Sequence, residues 1–330
     1  MNEDSTACPS PEVASAQAEA QYRQLQPKYE KLAAEVEYVI NDALLEERIP
    51  IASVSRRVKT LTSFAEKIRR KNYTEPLSEV TDLAGVRIVS YFQGDLARLE
   101  RMIRRQFDVR EKVDKVAEME IDQFGYRAIQ YVICLRESYL GARYDDIKNL
   151  KCEIQTRAVL ADAWAVLNHH LGYKKESTIP RESLRNMNSL SAVIETVEAQ
   201  FEAIRQEIEL HGENAKQLSS DELLNQPINP STVGAFIERV APGIEASDKE
   251  FAVTRICSFI NQAHYKAISD IDDVIRRTKR AMEALKKDTA VFPGQYVLYA
   301  LAFADPSMRT GMADWFEALF KRHRHLIDPA

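Results

Sequence analysis

Excess basic charge is what this sequence lacks. Its 330 residues carry 45 lysines and arginines against 50 aspartates and glutamates, for a formal net charge of −5. That balance provides no molecule-wide cationic field of the kind that drives non-specific nucleic-acid binding, so any such contact must be local. Cysteine is sparse as well. Cys8, Cys134, Cys152 and Cys257 stand singly, without a CxxC pair, which argues against a zinc site and a disulfide framework and for a reducing compartment. No apolar run reaches the roughly 18 residues that a spanning helix needs. The first stretch, MNEDSTACPSPEVASAQAEA, has neither the positive start nor the apolar core of a secretion signal. These absences predict a cytoplasmic protein that does not engage membranes, with residues 1–20 as a flexible lead. Internal repeats and low-complexity tracts are missing too.

What is present is a globular balance, 45% hydrophobic and 29% charged. The length exceeds the roughly 100–200 residues of one typical domain, so a catalytic domain with an appendage is expected. From about Val13 to Glu47 the residues Tyr22, Leu25, Tyr29, Leu32, Val36 and Ile40 recur at three- and four-residue steps, a buried helical stripe. A break at Arg48, Ile49 and Pro50 leads through IASVSRRVKT, expected as a connector, into the cationic helix TSFAEKIRRK. GVRIVSYF, AIQYVICL and KCEIQTR are β-branched and aromatic, and read as strands. DLARLERMIRRQF between the first two reads as an amphipathic helix, and AVLADAWAVLNHHLGYKK as another, with Leu160, Ala163, Trp164, Leu167, His170 and Leu171 on one face. The remainder is helical. The polar stretch around residues 216–233 is expected as a linker between a 21–215 catalytic domain and a 234–330 helical domain.

Four groups draw attention for phosphate chemistry: Arg57, Lys59, Ser63 and Lys67; Asp82 with Arg87; Gly125, Tyr126 and Arg127; and Glu153. A triphosphate needs cations, and Mg²⁺ needs one or two carboxylates beside phosphate oxygens, which Asp82 and Glu153 have the chemistry to supply. Each residue also has a structural reading. Asp82 fits a cap or turn, Glu153 fits the outward half of a strand, Tyr126 fits a turn, and Lys67, Arg69, Arg70 and Lys71 fit a solvated helix face.

In their order along the chain, these groups resemble the synthetase domain of the RelA/SpoT family, whose members make the alarmone (p)ppGpp. SRRVKTLTSFAEKI resembles the family's RxKxxxS segment, and EVTDLAGVRIVSYF its DxxGxR segment. FGYRAIQYVI resembles its GYxSxH loop, KCEIQTR its ExQIRT strand, and AVLADAWAVLNHHLGYKK its closing helix. The resemblance spans about Gln21 to Lys175. It implies an α+β fold, a nucleotidyltransferase-like mixed β-sheet flanked by helices and followed by an all-helical C-terminal region. It also implies a single-activity short form without the family's hydrolase domain.

The activity so implied is transfer of the β,γ-diphosphate of ATP to the ribose 3′-hydroxyl of GDP or GTP, with tRNA as the alternative acceptor of toxin-type relatives and an inactive sensing module as a third reading. Arg57 and Arg87 would sandwich adenine, Lys59, Ser63 and Lys67 would hold phosphates, and Asp82 and Glu153 would bind Mg²⁺ and act catalytically. Tyr126, Arg127, Gln130 and Lys115 would meet the acceptor. Gln130 stands where the family pattern has histidine, Ala128 where it has serine, and Thr156 where it has isoleucine; VDKVAEMEIDQ replaces a lysine-rich run and leaves Lys112 and Lys115. For tRNA, the basic track available is Lys67, Arg69, Arg70 and Lys71 with Arg101, Arg104 and Arg105. The helical tail is open to three roles: regulation, homo-oligomer formation, or neutralisation of a toxic activity.

Overall fold

The computed structural model describes residues 11–71, 73–114, 128–172, 180–260, 265–309 and 314–329. They form two compact units, Met1–Ala203 and Ile204–Ala330.

In the first unit the order is α1 (Pro11–Glu46), β1 (Ile51–Val58), α2 (Leu61–Lys71), α3 (Pro76–Glu79), β2 (Ala84–Ser90), α4 (Leu96–Gln106), β3 (Phe107–Asp114), β4 (Ala128–Leu135), β5 (Cys152–Ala158) and α5 (Val159–Gly172). The long helix α6 (Arg181–Gln217) follows and carries the chain past the division between the units. The sheet order is β1-β2-β5-β4-β3, with β2 and β5 parallel and the other neighbours antiparallel.

Side-chain alternation gives this sheet two chemically different faces. Val86, Ile88, Ile129, Tyr131, Ile133 and Ile154 turn to one side and share a core with Tyr22, Leu32, Val36 and Ile40 of α1, Phe64 and Ile68 of α2, and Leu99, Met102 and Ile103 of α4. The α1 stripe expected from spacing is therefore the lid of this core. Gly85, Arg87, Glu153, Gln155, Arg157 and Gln130 take the alternate positions and give the other face its polar character.

Helix α1 stops by a Schellman-type closure, the N–H of Ile49 donating to Leu44 O (3.1 Å) and that of Arg48 to Leu45 O (3.3 Å). Arg48 adopts φ 50° there, and Pro50 follows, unable to continue a helix.

Two strands depart from the sequence expectation, and both lie at the sheet edges. IASVSRRVKT, expected as a connector, supplies β1, and the segment after Gln106 is β3, Phe107 opening the strand instead of ending the helix. Edge strands tolerate Arg, Lys and Glu because one rim faces water, so FDVREKVD has little of the apolar signature of a central strand. On α5, Trp164 is buried, whereas Leu167 and Leu171, expected on the same face, are exposed.

The second unit is helical: α7 (Ser220–Leu224), α8 (Pro230–Val240), α9 (Ala246–Ile260), α10 (Ile268–Asp288), α11 (Pro293–Ala304) and α12 (Asp314–His323). Its core gathers Phe236, Ile256, Ile271, Met282, Leu298, Phe303 and Phe316. The 216–233 stretch contributes Leu223 and Val233 to this core and carries capping boxes at Ser219 and Asn229. Among the described residues, no helix is long and apolar enough to cross a membrane.

Candidate active site

The polar face is organised by register. Arg57 of β1 lies opposite Gly85 of β2, and Gly85 is opposite Glu153 of β5; the next row sets Ser55 beside Arg87, Arg87 beside Gln155, and Gln155 beside Gln130. A cavity of about 130 Å³ opens here, lined by Ser55, Arg57, Gly85, Arg87, Glu153 and Gln155 among others. Gly85 forms a flush floor: a Cβ at this position would lie 3.7 Å from Arg57 Cγ and Nε and 3.6 Å from the carbonyl of Glu153. Arg57, Arg87 and Glu153, 96 residues apart at their extremes in sequence number (153 − 57), thus meet in one hollow.

Beside β2 sits a second cluster. Lys59 Nζ donates to Asp82 Oδ2 (2.7 Å) and Lys67 Nζ to Asp82 Oδ1 (2.9 Å). Burial alone would raise the Asp82 carboxyl; the two lysine hydrogen bonds and their charges outweigh it and hold the group below its ordinary value. Lys59 is fixed at the end of β1 by its N–H to Leu83 O (2.9 Å), and its own carbonyl accepts from the Tyr22 hydroxyl (2.6 Å). Burial pushes Tyr22 up to about 12, with Tyr29 and Asp82 adding to the effect. Its ring packs on Phe64 of α2 at 4.5 Å between centroids. Tyr22 therefore joins α1 to the segment between β1 and α2, a positioning role that its place in the α1 stripe did not single out.

Helix α2 begins just after Lys59. Thr60 Oγ1 accepts from the Ser63 N–H (3.2 Å), and the Thr60 hydroxyl lies 3.0 Å from that of Ser63. This cap leaves Ser63 exposed on the first turn, with Lys67 one turn further on the same side. Asp82 precedes Gly85 by three residues, at most about 10 Å of extended chain from the row that holds Glu153.

Side chains to which the sequence reading gave no role, Gln155 and Arg157 of the KCEIQTR strand and Asp162 beyond it, complete the face. Gln155 Nε2 donates to Glu153 Oε1, and Arg157 Nη2 donates to Gln155 Oε1 (3.3 Å). Asp162, in the first turn of α5, lies 3.2 Å from Arg87 Nη1 and 3.5 Å from Arg157 Nη1. Glu153, Gln155 and Arg157 follow one another at two-residue steps on β5 and Asp162 lies five residues beyond Arg157, so only the contact of Asp162 with Arg87 joins residues distant along the chain.

Tyr126, Arg127 and Lys115, expected to meet the acceptor, lie outside the described residues. Gln130 is described, half-buried on β4. Of the cations considered as a nucleic-acid track, Lys67 is engaged by Asp82, Arg104 pairs with Glu100 (2.9 Å), Arg105 pairs with Glu47, and Arg69 is 3.6 Å from Glu19. Among the described residues, no group of three His, Cys, Asp or Glu side chains is arranged to hold a metal by itself. Two carboxylates are what a Mg²⁺ completed by nucleotide phosphates requires, and Asp82 and Glu153 fit that donor set.

The family described as "Region found in RelA / SpoT proteins" matches residues 56–178, which include both clusters. The chain is 30% identical over 169 residues to the GTP pyrophosphokinase YjbM of Bacillus subtilis, covering 50% of this chain and 76% of that protein. It is 25% identical over 164 residues to the GTP pyrophosphokinase YwaC of the same organism, covering 48% and 76%. The small alarmone synthetase 1 of Bacillus subtilis, solved with its product pppGpp, superposes with a TM-score of 0.50 at 26% identity, over 58% of this chain and 99% of that one. With a basic–acidic cluster, a two-arginine hollow and a strand carboxylate all inside the matched region, this chain belongs to the RelA/SpoT family.

Proposed function

We propose that the chain is a GTP pyrophosphokinase, which transfers the β,γ-diphosphate of ATP to the ribose 3′-hydroxyl of GDP or GTP and yields (p)ppGpp and AMP. The observation that carries this reading is the hollow shared by Arg57, Arg87 and Glu153 next to the Lys59–Asp82–Lys67 cluster. Arg57 and Arg87 are diagonal neighbours on adjacent strands, a spacing of about 7–8 Å. Guanidinium planes stacked on both faces of an adenine ring at about 3.5 Å each stand about 7 Å apart, a separation that two long side chains rooted there can reach. Side chains rooted at that backbone spacing can bring a guanidinium to each face of a flat base, with the cationic cluster beside them for the phosphates.

In the proposed reaction the acceptor 3′-oxygen attacks the β-phosphorus of ATP. The new bond is O3′–Pβ, the bond broken joins Pβ to the α,β-bridging oxygen, and AMP leaves with that oxygen. Glu153 takes the 3′-hydroxyl proton, its carboxylate oriented by Gln155. Lys59, Lys67 and the exposed hydroxyl of Ser63 hold the phosphate oxygens, and Arg57 and Arg87 hold the base, so that acceleration comes from alignment and charge neutralisation. Asp82 and Glu153 would hold Mg²⁺, which when bound neutralises phosphate charge. Gln130, in the same row as Arg87 and Gln155, offers the acceptor diphosphate an uncharged donor, and Tyr126, Arg127 and Lys115 are assigned to the acceptor by the resemblance alone.

The two Bacillus subtilis relatives are named GTP pyrophosphokinases, which supports a guanine nucleotide as acceptor. The test is incubation of pure protein with ATP, Mg²⁺ and, separately, GDP, GTP or deacylated tRNA, with products identified by mass spectrometry. AMP with (p)ppGpp is expected from the guanine nucleotides. AMP released only with tRNA would replace this reading by the toxin-type one, and no transfer by folded protein would leave a sensing module.

A further inference from the structure

We infer that Asp162 is a positioning residue that sets the orientation of Arg87, and through it the affinity for ATP; the inference rests on the assignment of Arg87 to the ATP base. Asp162 is on α5, five residues beyond Arg157 and 75 beyond Arg87 by number (162 − 87), and it belongs to none of the segments first matched to phosphate chemistry. Its Oδ1 is 3.2 Å from Arg87 Nη1 and 3.5 Å from Arg157 Nη1. One carboxylate thus serves two guanidinium groups of very different exposure.

Arg157 is the anchored member. Its side chain is 7% exposed, and its other terminal nitrogen donates to Gln155 Oε1 at 3.3 Å. A buried guanidinium needs counter-charge, and Asp162 supplies some of it. Arg87 is 29% exposed and lines the hollow. A long side chain at that exposure samples several rotamers unless something holds its head, and ordering it on binding would weaken affinity. Asp162 holds it beforehand, standing on the rigid Arg157 side.

The backbone under Asp162 is itself fixed. The N–H of the adjacent Ala161 donates to Glu198 Oε1 of α6 at 3.0 Å, and the α5 turn follows directly from the strand that bears Glu153 and Arg157. The path Glu153–Gln155–Arg157–Asp162–Arg87 therefore links the proposed base catalyst on β5 to the proposed base clamp on β2 by consecutive polar contacts. Asp162 is the one carboxylate in that path outside the hollow lining.

The test is a double-mutant cycle on the full chain, with Arg87→Ala, Asp162→Asn and both together. ATP dissociation is measured by calorimetry, with KM and kcat for ATP alongside and unfolding midpoints to confirm folding. Asp162→Asn keeps size and hydrogen-bonding oxygen, and removes only the charge. It should raise Kd and KM for ATP roughly tenfold while kcat stays within about twofold, and Arg87→Ala should add little in its background, as expected for side chains sharing one ion-pair network. Asp162→Glu should recover most of the affinity, which a merely structural acid would not require, and it carries the test should Asp162→Asn fail to fold. Additive effects, or an unchanged Kd in Asp162→Asn when Arg87→Ala is impaired, would overturn the inference and leave the ATP assignment standing. An unchanged Kd in Arg87→Ala would remove the assignment and the inference with it.

Discussion

Asp82 is the residue at which substitution should give the least intuitive result. In the structure its two oxygens are occupied by Lys59 and Lys67 at 2.7 and 2.9 Å, although the proposed reaction needs the lysines for phosphate and the carboxylate for Mg²⁺. Nucleotide binding must then begin by exchanging partners. The three side chains are between 14% and 23% exposed, so each charged hydrogen bond is worth about 1.5 kcal/mol, near the lower end for such bonds. Two of them make about 3 kcal/mol that an incoming triphosphate has to displace. Asp82→Asn removes the charge but keeps one oxygen for a weaker bond, which lowers the displacement cost by about 1–2 kcal/mol. In EDTA, Asp82→Asn should therefore bind ATP about 5- to 30-fold more tightly than the wild type, at 1.4 kcal/mol per tenfold. In Mg²⁺ the same variant should lose turnover, because a donor oxygen and its charge are gone. Isothermal calorimetry with and without Mg²⁺ and an AMP-release assay measure both halves. Equal or weaker ATP binding by Asp82→Asn in EDTA would refute the partner exchange, and retained turnover in Mg²⁺ would refute the metal assignment.

Other perturbations follow from the same geometry. Tyr22→Phe deletes the hydrogen bond to Lys59 O and should cost about 1 kcal/mol at neutral pH by denaturant titration. Because the folded Tyr22 pKa is raised from 10.0 to about 12, its contribution is complete below pH 10 and fades as pH rises towards 12, so the variant should show a shallower alkaline loss of stability. Burial also raises the Glu198 carboxyl, which makes its ionised form a cost at pH values above its folded pKa. Glu198→Gln, which can still accept from Ala161 N, should then be neutral or stabilising at pH 8, while Glu198→Ala should destabilise by about 1–2 kcal/mol; the reverse order of midpoints would contradict the account. At Gly85 the added Cβ meets only ordinary contacts at 3.6–3.7 Å, so Gly85→Ala should fold, yet lift the floor of the hollow by a methyl group and raise the ATP Kd measurably by calorimetry.

The central sheet was legible in the sequence because β2, β4 and β5 are strands with neighbours on both sides, and AGVRIVS, AIQYVICL and CEIQTRA carry the β-branched character that such positions favour. The edges were not, since IASVSRRV and FDVREKVD need an apolar contact on one face only and fill the rest with serine and charge. The candidate site divides in the same way. Arg57, Lys59, Lys67, Asp82, Arg87 and Glu153 stand within recognisable segments, and the structure gathers them into two adjoining clusters. That Asp82 spends both oxygens on lysines was hidden, because a motif says which residues are used with substrate and nothing about their partners without it. Asp162 was hidden for another reason: in VLADAW it is one polar position on a helix, and its partners come from β2 and β5.

Those hidden contacts share a logic. A face that is to receive a triphosphate and a base, as proposed for this one, has to concentrate cations, and the repulsion among them would by itself cost stability. At an effective dielectric constant of 20, two unit charges 6 Å apart repel by about 3 kcal/mol. Asp82 relieves this between Lys59 and Lys67, and Asp162 does the same between Arg87 and Arg157, each with one oxygen or two placed between paired cations. The two carboxylates differ in what should follow. Asp82 touches cations assigned to phosphate, so the substrate competes with it and its pairing must break. Asp162 touches a guanidinium whose flat face is assigned to an uncharged ring, and stacking on that face leaves the edge-on contact to the carboxylate intact. One acid is therefore a placeholder for substrate charge and the other a permanent brace, which is why neutralising the first should tighten ATP binding without Mg²⁺ and neutralising the second should weaken it.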